Sequence, residues 1–123
     1  ADSGYMPYGN LLFTTEQYIK EHPDIVRAYV EASIKGWNYY KDHYDEINPF
    51  IQEHNPDMPL EKLEYSAQAL QPLVYGFDAE EYGVGYMSQG RWETLMDQLL
   101  DLDLLKEPID VSTVFTNEFL PKE

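Results

Sequence analysis

"LLFTTEQYIKEHPDIVRAYVEASIKGWNYYKDHYDEINPFI", Leu11 to Ile51, decides how the rest of the chain is read. Its first five residues, Leu11–Thr15, are apolar and β-prone, and predict a short strand. Thr14 or Thr15 then caps a short helix with Glu16 in its first turn. Pro23 punctuates that helix and suits the first turn of the next. From Pro23 to about Tyr44 the spacing is helical: Val26, Val30, Ser33, Trp37, Tyr40 and Tyr44 share one face. Ile25, Tyr29, Ala32 and Gly36 form a flanking strip. A glycine inside a helix costs about 1 kcal/mol against alanine, so Gly36 beside Trp37 predicts the close approach of a neighbouring element. No second strand is visible anywhere in the chain. The predicted strand is therefore an orphan, a strand-to-helix crossover without its sheet.

The segments on either side complete the pattern. Gly4, Pro7, Gly9 and Asn10 mark an irregular loop before the strand. After the long helix, "DEINPFIQEHNPDMP" (Asp45–Pro59) holds three prolines and predicts a short helix near Pro49–His54, then a turn. A helix from Leu60 to Tyr75 carries Leu63, Ala67, Leu70 and Val74 as its stripe, with Pro72 kinking it or ending it early. A Gly-rich link follows, with room for one helical turn. The last helix, Ser88 to Leu105, turns Trp92, Leu95, Met96, Leu99 and Leu102 inward. The tail is irregular, with a helical turn at "TNEFL". The expectation is a mostly α chain of four to five helices plus one short N-terminal strand. It forms a single domain over 1–123: loop and hinge-like strand over 1–15, helical region over 16–107, irregular tail over 108–123.

Composition narrows the chemistry. The 123 residues suffice for one modest core, and 43% are hydrophobic, which predicts folding rather than disorder. The formal net charge of −15 repels phosphate backbones, so no nucleic-acid partner is expected. No cysteine occurs, which removes disulfides, zinc–thiolate sites and thiol nucleophiles together. No run of about 18 apolar residues is present to span a membrane. The opening Ala1–Gly4 suits a chain that follows a cleaved leader, and equally one where a fragment begins. His22, His43 and His54 match no metal-ligand spacing, and His22 and His54 sit where a histidine caps helix carbonyls. "DLDLLKE" (Asp101–Glu107) lacks the glycine and the third acid of a calcium loop and reads as a solvated helix face. "GVGYMSQG" (Gly83–Gly90) lacks the lysine of a phosphate loop. No metal, cofactor or catalytic residue is assigned, and the residues alone describe an acidic, mostly helical domain.

At the helices the chain resembles the substrate-binding proteins of ABC transporters, of the nitrate/sulfonate/taurine and thiamine-pyrimidine precursor type. The carrying residues are "TE" after the strand, then Pro23, Asp24, Val26, Tyr29, Ala32, Gly36, Trp37, Tyr39 and Tyr40 in the long helix. Trp92–Leu105 and the closing "FTNEFLP" (Phe115–Pro121) follow in the family's order. The resemblance implies that this chain is the C-terminal part of a two-lobed α/β periplasmic-binding-protein fold. Its strand would cross between lobes and find its sheet partners upstream. The implied function is non-enzymatic. An extracytoplasmic protein, periplasmic or lipoprotein-anchored, binds a small molecule between its lobes and delivers it to the membrane subunits of an importer. The ligand class is a thiamine-pyrimidine precursor, another heterocycle or an alkylsulfonate.

The resemblance places the loop before the strand beside the ligand cleft, and so names Tyr5, Met6, Tyr8 and Asn10 as ligand-binding residues. A tyrosine ring stacks on a flat heterocycle while its hydroxyl hydrogen-bonds. Trp37, Tyr39 and Tyr40 also suggest an aromatic cage, but helical spacing assigns them mostly to core or interface. Two other readings stand beside this one. The fungal thiamine-pyrimidine synthase shares the fold, yet its cysteine-rich signature falls here on Gly4–Tyr8, where no cysteine stands. A stand-alone helical interaction domain is the other. Without its upstream lobe, the chain is expected to leave an apolar face and the Leu11–Thr15 edge uncovered, and to self-associate through them.

Overall fold

The structure, a computed structural model, describes residues 4–122. Ala1–Ser3, where the cleaved-leader reading falls, lie outside the described residues. Five α-helices follow one another: α1 (Glu16–Glu21), α2 (Pro23–His54), α3 (Leu60–Tyr75), α4 (Asp78–Tyr82) and α5 (Gln89–Asp101). A 3-10 turn at Val111–Thr113 completes the order. The mostly α expectation holds.

The predicted strand does not form. Leu11–Thr15 is irregular, and no strand occurs among the described residues. A strand needs a neighbour to receive its ladder hydrogen bonds, and the described residues offer none. Leu11 and Leu12 are exposed and Phe13 is 96% exposed.

Local chemistry sets the helix ends. The Thr15 hydroxyl accepts the Tyr18 amide at 3.1 Å and caps α1. The His22 amide closes α1 on the Tyr18 carbonyl, and the His22 carbonyl receives Val26 as α2 begins at Pro23. The expected break between helices near Tyr44 falls at His43, where α2 kinks between two helical stretches. The second stretch runs on to His54, and His43 (φ −131°, ψ 21°) is the non-helical residue between the two. Pro49 follows on the far side and leaves the Asp45 carbonyl without its helical donor. The Nδ1 of His43 bonds the Tyr39 carbonyl at 2.9 Å, and that of His54 bonds Phe50 at 2.9 Å, so two histidines serve as carbonyl caps.

Helix α3 continues past Pro72 to Tyr75 rather than ending there. Helix α5 stops four residues before the predicted Leu105. The Asp103 amide bonds the Leu100 carbonyl and the Leu104 amide reaches back to Leu99, with Asp103 at φ 56°. That is a Schellman turn with aspartate in the left-handed position usually held by glycine. The predicted inner residue Leu102 therefore lies outside the helix and is exposed. The expected helical turn at "TNEFL" is a simple turn, while Asp110 caps the 3-10 turn by accepting the Ser112 amide and hydroxyl. Those bonds hold the Asp110 carboxyl below its ordinary value.

The chain forms two compact units. The first combines both ends of the sequence, through Arg27 and from Met87 onward; the second is Ala28–Tyr86. In the first, α5 packs on the 3-10 turn, and Val111 and Phe119 are buried. The Arg27 guanidinium lies 5.3 Å from the Phe119 ring centre and donates to the Glu118 carbonyl, which ties the tail to the start of α2. In the second, α3 packs on α4, and Ala67, from the predicted stripe, is buried. Long side chains join α2 to α3: the Tyr75 hydroxyl donates to the Trp37 carbonyl at 2.5 Å, and Gln71 donates to the Lys41 carbonyl.

Candidate ligand-binding segment

The four sequence-predicted residues lie in the first unit, on the segment that precedes Leu11. That segment runs along α5 in the opposite direction. Gly4 accepts from the Gln98 side chain at 3.2 Å, Met6 from Arg91 Nε at 2.9 Å, and Pro7 from Arg91 Nη2 at 3.4 Å. Tyr8 Oη receives the Ser88 amide at 2.7 Å. The lengths agree: ten helical steps from Ser88 to Gln98 cover about 15 Å, and four extended steps from Gly4 to Tyr8 cover about 14 Å.

Tyr8 is anchored on several sides. The Arg91 guanidinium stands 4.2 Å from its ring centre, and the Trp92 ring lies 5.7 Å away at 45°. Trp92 in turn stacks on Phe115 at 6.0 Å. The Asn117 side chain pairs with Met87 through both its amide groups, at 3.0 and 2.7 Å, and fixes the entry to α5. Tyr5 and Asn10 are exposed, and Met6 is half-buried. The segment thus presents Tyr5 and Asn10 outward on a backbone held by α5. Trp92 Nε1 is buried and has no hydrogen-bond partner, a donor left at a cost of about 1–3 kcal/mol.

The second unit carries the aromatic group the sequence assigned to core or interface; Trp37 and Tyr40 are half-buried and Tyr39 is exposed. Trp37 and Tyr40 meet edge to face at 5.9 Å, and the Tyr40 hydroxyl donates to Asn48 Oδ1 at 2.7 Å. Asn48 is fully buried, and its Nδ2 has no partner. Tyr39 stacks flat on His43 at 4.1 Å and reaches both Glu46 carboxylate oxygens at 3.3 Å. Partial burial, then the Glu46 charge, raises the Tyr39 phenol above its ordinary value. Tyr39 and Tyr40 line a shallow groove of about 670 Å³ with Ala32, Lys35, Gly36 and Ile47; Trp37 is not among its walls. Gly36 forms part of that groove, and a Cβ there would meet open space. The close approach expected at Gly36 is not made among the described residues.

Among the described residues no three His, Cys, Asp or Glu side chains gather to hold a metal, and no helix is long and apolar enough to cross a membrane. Sequence reading placed Trp92 on an inner face but missed Ser88, Arg91, Gln98 and Asn117. A lone arginine or amide on a helix carries no spacing signal, and its partners here lie 30 to 94 residues away.

Residues 1–47 match the protein-family model described as NMT1/THI5 like. The chain is 30% identical over 115 residues to the riboflavin-binding protein RibY of Chloroflexus aurantiacus, covering 91% of this chain and 33% of that protein. It thus spans about a third of the length of that curated relative. No solved structure matches it. The family match falls on the anchored segment, α1 and most of α2, which carried part of the resemblance in the sequence, and over that stretch the chain is similar to the NMT1/THI5-like proteins.

Proposed function

We propose that this chain is the C-terminal part of an extracytoplasmic solute-binding protein, which captures a small heterocycle between two lobes and hands it to the membrane subunits of an ABC importer. The observation that carries the reading is the similarity along 91% of the chain to a riboflavin-binding protein. The geometry agrees with a flat ligand. Tyr5, Met6, Tyr8 and Asn10 form one short segment, with Tyr8 as its anchor and Tyr5 and Asn10 turned outward. A tyrosine ring offers an apolar face to a fused ring system, and an asparagine amide matches ring carbonyls and N–H groups. The uncovered Phe13, Tyr29 and Tyr65 agree with a lobe that packs on further elements.

The test is a titration of the natural full-length protein with riboflavin, read by quenching of the flavin's own fluorescence. Saturable quenching is expected. Thiamine pyrimidine and taurine are titrated separately by calorimetry, and saturable heat with either, without quenching of riboflavin, moves the ligand to that class. Fluorescence unchanged through the millimolar range, with no response to the other two, overturns the reading.

A further inference from the structure

We infer that Arg91 is the positioning residue of the ligand segment: it sets the backbone of Met6–Tyr8, and through it the affinity of the site, without touching the ligand. The inference rests on the reading of that segment as part of a binding site. Three contacts from one side chain carry it. Nε donates to the Met6 carbonyl at 2.9 Å, Nη2 donates to the Pro7 carbonyl at 3.4 Å, and the guanidinium plane covers the Tyr8 ring at 4.2 Å. Successive residues of an irregular segment are thereby held by one planar group.

The chemistry is specific to arginine. Its donors form a rigid fork that serves two neighbouring carbonyls at once, and its flat, weakly hydrated face stacks on an aromatic ring. A lysine at this place supplies one point charge and neither the fork nor the plane. Pro7 strengthens the argument. It has no N–H and a fixed φ, so at this position the backbone has no donor of its own, and its carbonyl is held by Arg91 from outside the segment. Helix α5 gives Arg91 a fixed base, since Trp92 beside it is wedged between Tyr8 and Phe115. Holding a binding segment in its bound shape raises affinity by removing the ordering cost of association. Arg91 thus acts on affinity through preorganisation.

The first unit contains its own control. Arg27 makes the same two kinds of contact, one carbonyl bond to Glu118 and a cation–π contact with Phe119, but on the tail. The experiment compares Arg91→Ala, Arg91→Lys and Arg27→Ala in the natural full-length protein. It reads backbone ¹⁵N order parameters at Tyr5, Met6 and Tyr8, riboflavin affinity by fluorescence, and the melting temperature. Arg91→Ala is expected to lower the order parameters of Met6 and Tyr8 from the rigid range near about 0.85 to below about 0.6. It should weaken riboflavin binding about tenfold while shifting melting no more than Arg27→Ala does. Arg91→Lys is expected to behave as Arg91→Ala, and Arg27→Ala to leave segment order and affinity unchanged. Unchanged order parameters in Arg91→Ala overturn the inference, as does a mobile segment with unchanged affinity. If riboflavin fails to bind the wild-type protein, the flavin reading falls instead, and the order parameters alone decide whether Arg91 holds the segment.

Discussion

Asn48 is a fully buried polar side chain with one end satisfied and one end not. Its carbonyl oxygen takes the Tyr40 hydroxyl, and its amide N–H groups have nothing to donate to. Replacing Asn48 by leucine strands the Tyr40 hydroxyl, and a stranded group costs about 1–3 kcal/mol. Removing both polar groups, Asn48→Leu with Tyr40→Phe, should recover most of that loss, because no unpaired group is left behind. Urea midpoints of the two single variants and the double variant check this; a double variant as unstable as Asn48→Leu alone contradicts it. None of this was legible in the sequence, where Asn48 sits in a proline-rich stretch that reads as a boundary. Tyr8 was legible as a functional candidate, but its role as an anchor was not, because Ser88 and Arg91 lie far along the chain. Composition and periodicity report neighbours within a turn or two and are silent about partners across such distances.

Helix spans were the most legible feature, since an apolar stripe every three or four residues leaves few alternatives. Helix α3 lies where its stripe placed it. The end of α5 was not legible: "DLDLL" continues the helical rhythm, and only the left-handed Asp103 breaks it. Two glycines separate helix propensity from packing. At Gly36 nothing opposes a methyl group, so Gly36→Ala should stabilise the chain by about 1 kcal/mol. At Gly76 a Cβ would stand 2.5 Å from the Pro72 carbonyl oxygen. Gly76→Ala should therefore cost about 1–3 kcal/mol through forced backbone movement. The same denaturation measurement reads both, and equal signs would refute the distinction. The link from α3 to α2 has a pH limit. Partial burial, then Tyr40 and Asp42, raise the Tyr75 phenol above 10.0. The folded chain keeps that proton where the unfolded chain loses it, so the contribution is complete below pH 10 and fades as pH rises through the elevated value. Thermal melts from pH 8 to 11 should show an alkaline loss that Tyr75→Phe reduces.

At the scale of the molecule, the exposed apolar side chains outnumber the buried ones. Ala67, Val111 and Phe119 are buried, while Phe13, Tyr65, Leu73 and Leu104 are among the large side chains left open. Such surface favours association, and a net charge of −15 opposes it. The two terms respond differently to salt. Added salt screens the repulsion and leaves apolar contact in place, so sedimentation of the isolated 123-residue chain should show association that grows with ionic strength. Phe13→Lys should reduce it. A monomer at every salt concentration would mean that these faces do not recognise one another. The construction of the first unit from both ends of the sequence also has a consequence for its biosynthesis. Tyr8 and Ser88 stand 80 residues apart. At about 5–20 residues per second, Tyr8 is made roughly 4–16 s before its partner. The intervening Ala28–Tyr86 unit is complete before α5 exists. Throughout that interval the Tyr8 segment lacks the helix that holds it, and a chaperone that binds extended peptide meets it undocked.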